Sequence, residues 1–300
     1  MNRTCSTIFS ILASIFAGCA ATEAPRFATP ELAMKAIADA GSDQELAERL
    51  LGDGGFELLR SGDDVADRED LARVREMIGE KIVFEQLGED VTVAMLGPDG
   101  WEFPIPLLQD EKGWSFDVEA GREEVLARRI GRNELSTIAT LRELVLAQRE
   151  YASVGRDGKP RAFAQKLWSD EGQHDGLYWP TSEAEPPSPV GELLARAAHE
   201  GYRRSEEGPV PYHGYHYRLL RAQGAAAPGG AKSFLDAQGH LVAGFAVLAW
   251  PATYDNSGVM SFVVSHHGIV FERDLGPDTD ARARAIEAYD PGDGWEPCID

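Results

Sequence analysis

The densest group of side chains able to recognise an anion is Arg128, Arg129 and Arg132, followed by Asn133 and Glu134. Guanidinium forks match the paired oxygens of carboxylates and phosphates, so the group could form an anion or partner site. The same residues suit an ion-pair network that fixes a helix against acidic neighbours, and this plainer reading is preferred. His213-x-x-His216 and His266-His267 carry imidazoles of the kind that bind zinc or copper. Residues one or three apart in a strand point to opposite faces, and Gly268 marks a turn beside the second pair, so neither a metal nor any other cofactor is expected. Ser257 and Ser261 lie near His266 in sequence, but no G-x-S-x-G elbow occurs and Cys298 sits close to the end, so no catalytic nucleophile is assigned. Carboxylates in glycine-rich loops, at Asp157-Gly158, Asp170-Glu171-Gly172, His174-Asp175-Gly176 and Asp290 to Gly294, offer oxygens suited to calcium. None follows the EF-hand grammar, and solvated turns are preferred. Trp168, Tyr178, Trp179, Tyr212, Tyr215 and Tyr217 could line a groove for glycan or peptide, with core packing as the preferred reading.

The elements that must position these residues fall into two groups. Thr29 and Pro30 open a helix bearing Leu32, Ala33, Ala36 and Ile37 at helical spacing. Ser42 with Glu45 reads as a capping box for a second helix, and Asp67 to Ile78 forms a third. From Lys81 the period shortens to strand runs at Ile82–Phe84, Val91–Leu96, Trp101–Leu108 and Trp114–Val118, an antiparallel meander. Residues 119–152 form the longest helical pattern. Gly131 is expected to break or bend it, Asn133 to cap the helical segment on its far side, and Leu135, Ile138, Leu141, Leu144, Val145 and Tyr151 to form its buried stripe. A loop-rich stretch and a short helix from Val190 to His199 lead to strands at Tyr212–Leu220, Leu241–Trp250, Val259–Ser265 and Ile269–Leu275. The expected fold is α+β: a cone-like helix-plus-meander unit over 29–120, then a long helix packed on an antiparallel sheet over 121–300. The boundary is placed at Ala120-Gly121, a flexible point on this reading.

The 300 residues are 43% hydrophobic and 26% charged, enough to bury a sizeable core. With 50 acidic against 29 basic side chains the net charge is -21, which opposes binding to nucleic acid and to anionic lipid surfaces. Arg3, the apolar run Ile8 to Ala17 and the small residues after it have the layout of a secretory leader. The run ends in Phe16-Ala17-Gly18-Cys19, which resembles the bacterial lipobox, with Phe16 where Leu is usual. That resemblance implies cleavage after residue 18, diacylglycerol on Cys19 and a tether over 19–28. Ala20, in place of the aspartate that marks inner-membrane retention, implies the outer membrane. A soluble periplasmic protein, cut nearby by an ordinary signal peptidase, is the alternative.

RRIGRNEL at Arg128–Leu135, AQREYAS at Ala147–Ser153, AQKLWSDEGQHDGLYWP at Ala164–Pro180 and SPVGELLARA at Ser188–Ala197 resemble blocks of the bacterial domain-of-unknown-function family DUF2950. So do HGYHYRLL from His213, GFAVLAWPATYDNSGVMSF at Gly244–Phe262, GIVFERDLG at Gly268–Gly276 and DPGDGWEP at Asp290–Pro297. The resemblance covers nearly all of the chain after the leader and implies an exported bacterial protein with no assigned reaction. The order of long helix, loop and strands is also loosely similar to the globular part of type IV pilins and pseudopilins. The favoured reading is a non-enzymatic binding or scaffolding module, held by Cys19 to the outer membrane and facing the periplasm, with an envelope protein or a glycan as partner. A periplasmic hydrolase or small-ligand-binding protein using an interdomain pocket is the alternative.

Overall fold

A computed structural model describes residues 24–40, 43–52, 55–61, 63–154, 161–179, 188–190 and 211–298. The expected helix over 190–199, the Asp157-Gly158 loop, Ser42 and Cys19 lie outside the described residues, Val190 excepted.

The first helices pack their small apolar faces together. In α1 (Pro30–Ala40) the residues Ala33, Met34, Ile37 and Ala40 are buried at helical spacing, and the Thr29 hydroxyl accepts from Leu32 N. α2 (Gln44–Leu51) is capped by Asp43, whose carboxylate accepts from Leu46 N at 3.0 Å, so the cap lies one residue after the expected Ser42. α3 (Gly55–Leu59) is short, and α4 (Asp64–Glu80) begins at its cap Asp63.

The meander comprises β1 (Ile82–Gln86), β2 (Val91–Leu96), β3 (Trp101–Glu102), β4 (Leu107–Asp110) and β5 (Gly113–Phe116). These pair antiparallel in the order β1-β2-β4-β5, with β3 also on β2. The expected strand 101–108 is split because Pro104 and Pro106 have no N–H to give to a ladder. Phe27 exchanges two 2.8 Å backbone hydrogen bonds with Trp114, so the end of the expected tether is docked on β5. Ala94, Leu96, Leu107, Phe116, Met34, Ile37 and Leu58 meet in the first core.

α5 (Val118–Ser153) is one continuous helix. Gly131 does not break it: the glycine costs about 1 kcal/mol relative to alanine, and packing at both ends outweighs that. Ala120-Gly121 is not a flexible point but the first turn of α5. A Cβ at Gly121 would stand 2.8 Å from Ile105 Cα and 2.9 Å from Pro104 O, so this glycine permits close approach of the helix to the segment between β3 and β4. The buried stripe also differs. Leu135 is 70% exposed, while Arg129, Asn133, Thr137, Thr140, Leu141, Leu144, Gln148 and Tyr151 are buried. Leu141, Leu144, Val145 and Tyr151 are buried as expected and Ile138 packs against the second core, so Leu135 alone leaves the stripe. On its N-terminal side the buried face continues through Arg129, Asn133 and Thr137, spaced four apart.

The second sheet is built from β6 (Tyr215–Leu220), β9 (Ala246–Pro251), β10 (Met260–Ser265), β11 (Val270–Asp274) and β12 (Glu296–Pro297), paired antiparallel in the order β12-β11-β10-β9-β6. A side hairpin, β7 (Ala222–Gln223) with β8 (Lys232–Ser233), stands apart. Every residue of β9 is buried, because the strand is flanked by β6 and β10 and packed by α5 and by α6 (Thr279–Ala285). Gln148 of α5 donates to Ala164 O and accepts from Ala164 N, both at 2.8 Å, and so satisfies a buried backbone in the manner of a strand neighbour. The second core gathers Leu141, Leu144, Val145, Phe234, Phe245, Leu248 and Phe262. The molecule is therefore α+β with antiparallel sheets, and α5 enters both cores.

Candidate functional site

Between α1–α4, the strap Trp101–Ile105 and the first half of α5 lies a cavity of about 440 Å³. Its wall is aliphatic and aromatic: Ile37, Leu51, Leu58, Leu71, Val74, Met77, Phe103, Ile105 and Val125. Native interiors leave few voids larger than a water molecule, and ligand pockets span roughly 300–1,000 Å³, so this space has the size of a binding site. α4 supplies Leu71 and Val74 on one side. The close seating of Gly121 on Ile105 sets the angle at which α5 supplies Val125 on the other.

The charged part of the lining is Arg73, Arg128, Arg129 and Arg132 with Asp67 and Asp70. Arg128 donates to Glu124 Oε1 at 2.6 Å and to Glu102 O at 2.7 Å, and its cation lies 5.3 Å from the Trp101 ring centre. Arg132 grips Asp70 with two bonds of 2.9 and 2.6 Å. Arg129 is buried, and donates to Leu58 O and to Asn256 Oδ1. Burial pulls its guanidinium below the usual arginine range, while Asp67 and Asp70 push it back up. Asp67 is buried too. Desolvation raises its carboxyl above the ordinary aspartate range against the opposing hydrogen bonds from Ser61, whose N–H it accepts at 3.0 Å. Arg73 is exposed and forms no hydrogen bond or ion pair among the described residues.

Of the five residues singled out in sequence, Arg128, Arg129 and Arg132 reach the cavity, whereas Asn133 and Glu134 turn to the second sheet. Asn133 Nδ2 donates to Ser257 O at 2.9 Å, and Glu134 Oε1 accepts from Val259 N and Met260 N at 3.0 and 2.9 Å. Asn133 is thus no helix cap. With Arg129–Asn256, Asn256 Nδ2 to Arg60 O at 2.9 Å and Gly214 N to Asp63 Oδ2 at 2.9 Å, these bonds tie the two cores together. Asp67, Asp70 and Arg73 went unmarked as site residues in the sequence, and Ile37 of the wall was marked only as a helix position. Their only signal was Asp67, Asp70 and Arg73 three apart on one helix face.

The other candidates sit elsewhere. His213 occupies a left-handed turn at φ 49°, its ring tilted against that of Tyr212 with centroids 4.1 Å apart. His216 lies on β6 against Trp250, with Nδ1 buried and unpartnered among the described residues. Burial lowers its pKa, as it does for His266. No three His, Cys, Asp or Glu side chains among the described residues are grouped to hold a metal. Ser257 Oγ bonds Thr253 within its turn. The Cys298 thiol is pushed up to about 12 by burial and by Glu272, which leaves it protonated. Asp175 pairs with Lys166 at 2.6 Å, and Asp290 Oδ1 accepts from Ala226 N at 2.7 Å, so these carboxylates serve turns. Tyr215 and Trp179 are core residues, and Tyr178, Tyr212 and Tyr217 pack against that core.

The family model described as protein of unknown function (DUF2950) matches residues 25–298, and the chain belongs to that family. No curated protein and no solved structure matches it, so the likeness to pilins has no structural neighbour behind it. No helix among the described residues is long and apolar enough to cross a membrane.

Proposed function

We propose that this DUF2950 protein is a non-enzymatic binding protein of the bacterial envelope, exported, lipid-anchored through Cys19 and facing the periplasm, that holds a small apolar ligand in the cavity beside α5. The observation that carries the reading is the composition of the cavity: an aliphatic wall together with four arginines and two aspartates, with no Ser, Thr, Cys, His, Lys or Tyr among the described residues that line it. Hydrolysis of a bound ligand needs a nucleophile or a base free to take a proton. Asp67 is committed to Ser61 N, and Asp70 to Arg132. The remaining lining is suited to burying apolar surface and orienting charge at its edge. Leader and anchor rest on Arg3, the apolar run to Ala17 and the lipobox-like approach to Cys19.

The test compares melting temperatures of the protein as purified and after stripping on a lipophilic resin. A ligand present at about 100 times its Kd adds roughly 2.7 kcal/mol, so stripping lowers Tm by several degrees in the wild type and by nothing in a cavity-filled Val125→Trp variant. Equal losses in both proteins, or none in either, would contradict the reading. Fractionation of a Cys19→Ala variant tests the anchor: the protein leaves the membrane pellet, and a variant that stays there alongside a wild type without acyl mass refutes lipidation.

A further inference from the structure

We infer that the ligand of this cavity is a single-chain amphiphile with an anionic head, its chain along the aliphatic wall and its carboxylate at Arg73 and Arg128. The inference rests on the cavity being a binding site, as proposed above, and names what it selects.

Three observations converge. The first is shape and lining. The wall that α4 and α5 face toward each other is apolar, with Leu71, Val74 and Met77 on one side and Val125 on the other. About 440 Å³ lies in the range of pockets that take one small ligand, and an acyl chain of about a dozen carbons with its carboxylate is a ligand of that class.

The second is charge. In a chain of net charge -21, the cavity lining carries four guanidinium groups against two carboxylates. Arg132 is satisfied by Asp70, and Arg129 by Leu58 O and Asn256. Arg128 engages Glu124 and Glu102 O through Nε and Nη1, which leaves Nη2 with no hydrogen bond among the described residues, and Arg73 engages none. Two guanidinium groups with donors still open at the mouth of an apolar slot are complementary to one carboxylate head.

The third is position. Ala24 packs against Gly52, where an added Cβ would meet the Ala24 Cβ at 2.7 Å, and Gly52 comes directly after Leu51 of the cavity wall. Cys19 precedes Ala24 by five residues, which span at most about 18 Å fully extended. A lipid on Cys19 therefore holds the cavity wall close to the bilayer, the phase in which single-chain amphiphiles accumulate.

The experiment uses the full lipidated chain in its own envelope membranes. The probes are a roughly twelve-carbon carboxylate with a terminal diazirine and the matched alcohol, cross-linked by light and mapped by peptide mass spectrometry. The carboxylate is expected to label the cavity peptides that carry Leu71–Met77 and Val125. Arg73→Gln combined with Arg128→Gln should cut that labelling about tenfold while leaving the alcohol's unchanged, the loss of one charge-assisted pairing. Competition by unlabelled carboxylates should strengthen about fourfold per added methylene until the cavity is full. Equal labelling by both probes, unaffected by the arginine variants, would overturn the anionic head while leaving the cavity a binding site. Labelling confined to the surface, in a protein that still loses Tm on stripping, would overturn the amphiphile class. Surface labelling with no such loss would overturn the binding reading beneath it.

Discussion

Arg129→Met removes a guanidinium that is buried between the two cores. Arg129 is 8% exposed, donates to Leu58 O on α3 and to Asn256 Oδ1 in the loop before β10, and faces Asp67 and Asp70. Methionine fills most of the aliphatic volume but donates nothing. Two acceptors then lose their partner at about 1–3 kcal/mol each. Asp67 loses a favourable charge, which drives its already raised carboxyl further toward the neutral form. Relief of the guanidinium's own desolvation offsets part of this, and removing one partner from a buried pair comes to about 3–5 kcal/mol in total. For a chain of this size, at roughly 2 °C per kcal/mol, Tm should fall by about 6–10 °C. Arg129→Lys keeps the charge and loses the fork, and should fall about half as far. Differential scanning calorimetry with urea titration at neutral pH measures both. A shift under about 2 °C for Arg129→Met, with Arg129→Lys indistinguishable from it, would refute the tie and leave Arg129 a surface cation.

Leu141→Asp, fully buried, should lower stability by several kcal/mol, while Leu135→Asp at 70% exposure should change it by less than about 0.5 kcal/mol; matching urea midpoints would contradict the stripe as drawn. Gly121→Ala should destabilise by about 1–3 kcal/mol through its contact with Ile105. Gly131→Ala, where a Cβ meets nothing within 4 Å, should stabilise by up to about 1 kcal/mol, read by thermal melting. His216 and His266 have folded pKa values below the ordinary 6.5, so the unfolded chain binds more protons below that pH, and stability is lost as pH falls through 6.5. A double His216→Gln, His266→Gln variant should flatten the slope of Tm against pH between about 7 and 5.5; an unchanged slope would show that neither imidazole is buried neutral.

Much of the architecture was legible because it rests on local periods. The Thr29-Pro30 helix start and the apolar runs at Val91–Leu96 and within Leu241–Trp250 each fix an element without help from distant residues. α5 was legible as a helix but not as a face. Its buried positions include Arg129, Asn133, Thr137 and Gln148, which count as polar in any apolar pattern and are buried only because partners from Leu58, Ser257, Tyr217 and Ala164 arrive from elsewhere in the chain. Leu135 was misplaced for the converse reason: it is apolar, but turned away from both sheets. The arginine cluster was visible as charge, yet the cavity behind it was not. Asp67, Asp70, Arg73, Trp101 and Val125 converge only when α4 and α5 are set against the Pro104–Ile105 strap, and no spacing in a linear pattern reports that.

The measurement that bears most directly on the proposed binding site is native mass spectrometry of the full chain, extracted gently from its envelope and set beside Val125→Trp. The wild type should carry one non-covalent ligand per chain, above the mass of the acylated protein, and Val125→Trp should carry none while keeping the same circular dichroism. A wild type without added mass, or a Val125→Trp protein that retains the same mass, would contradict a binding site at the cavity.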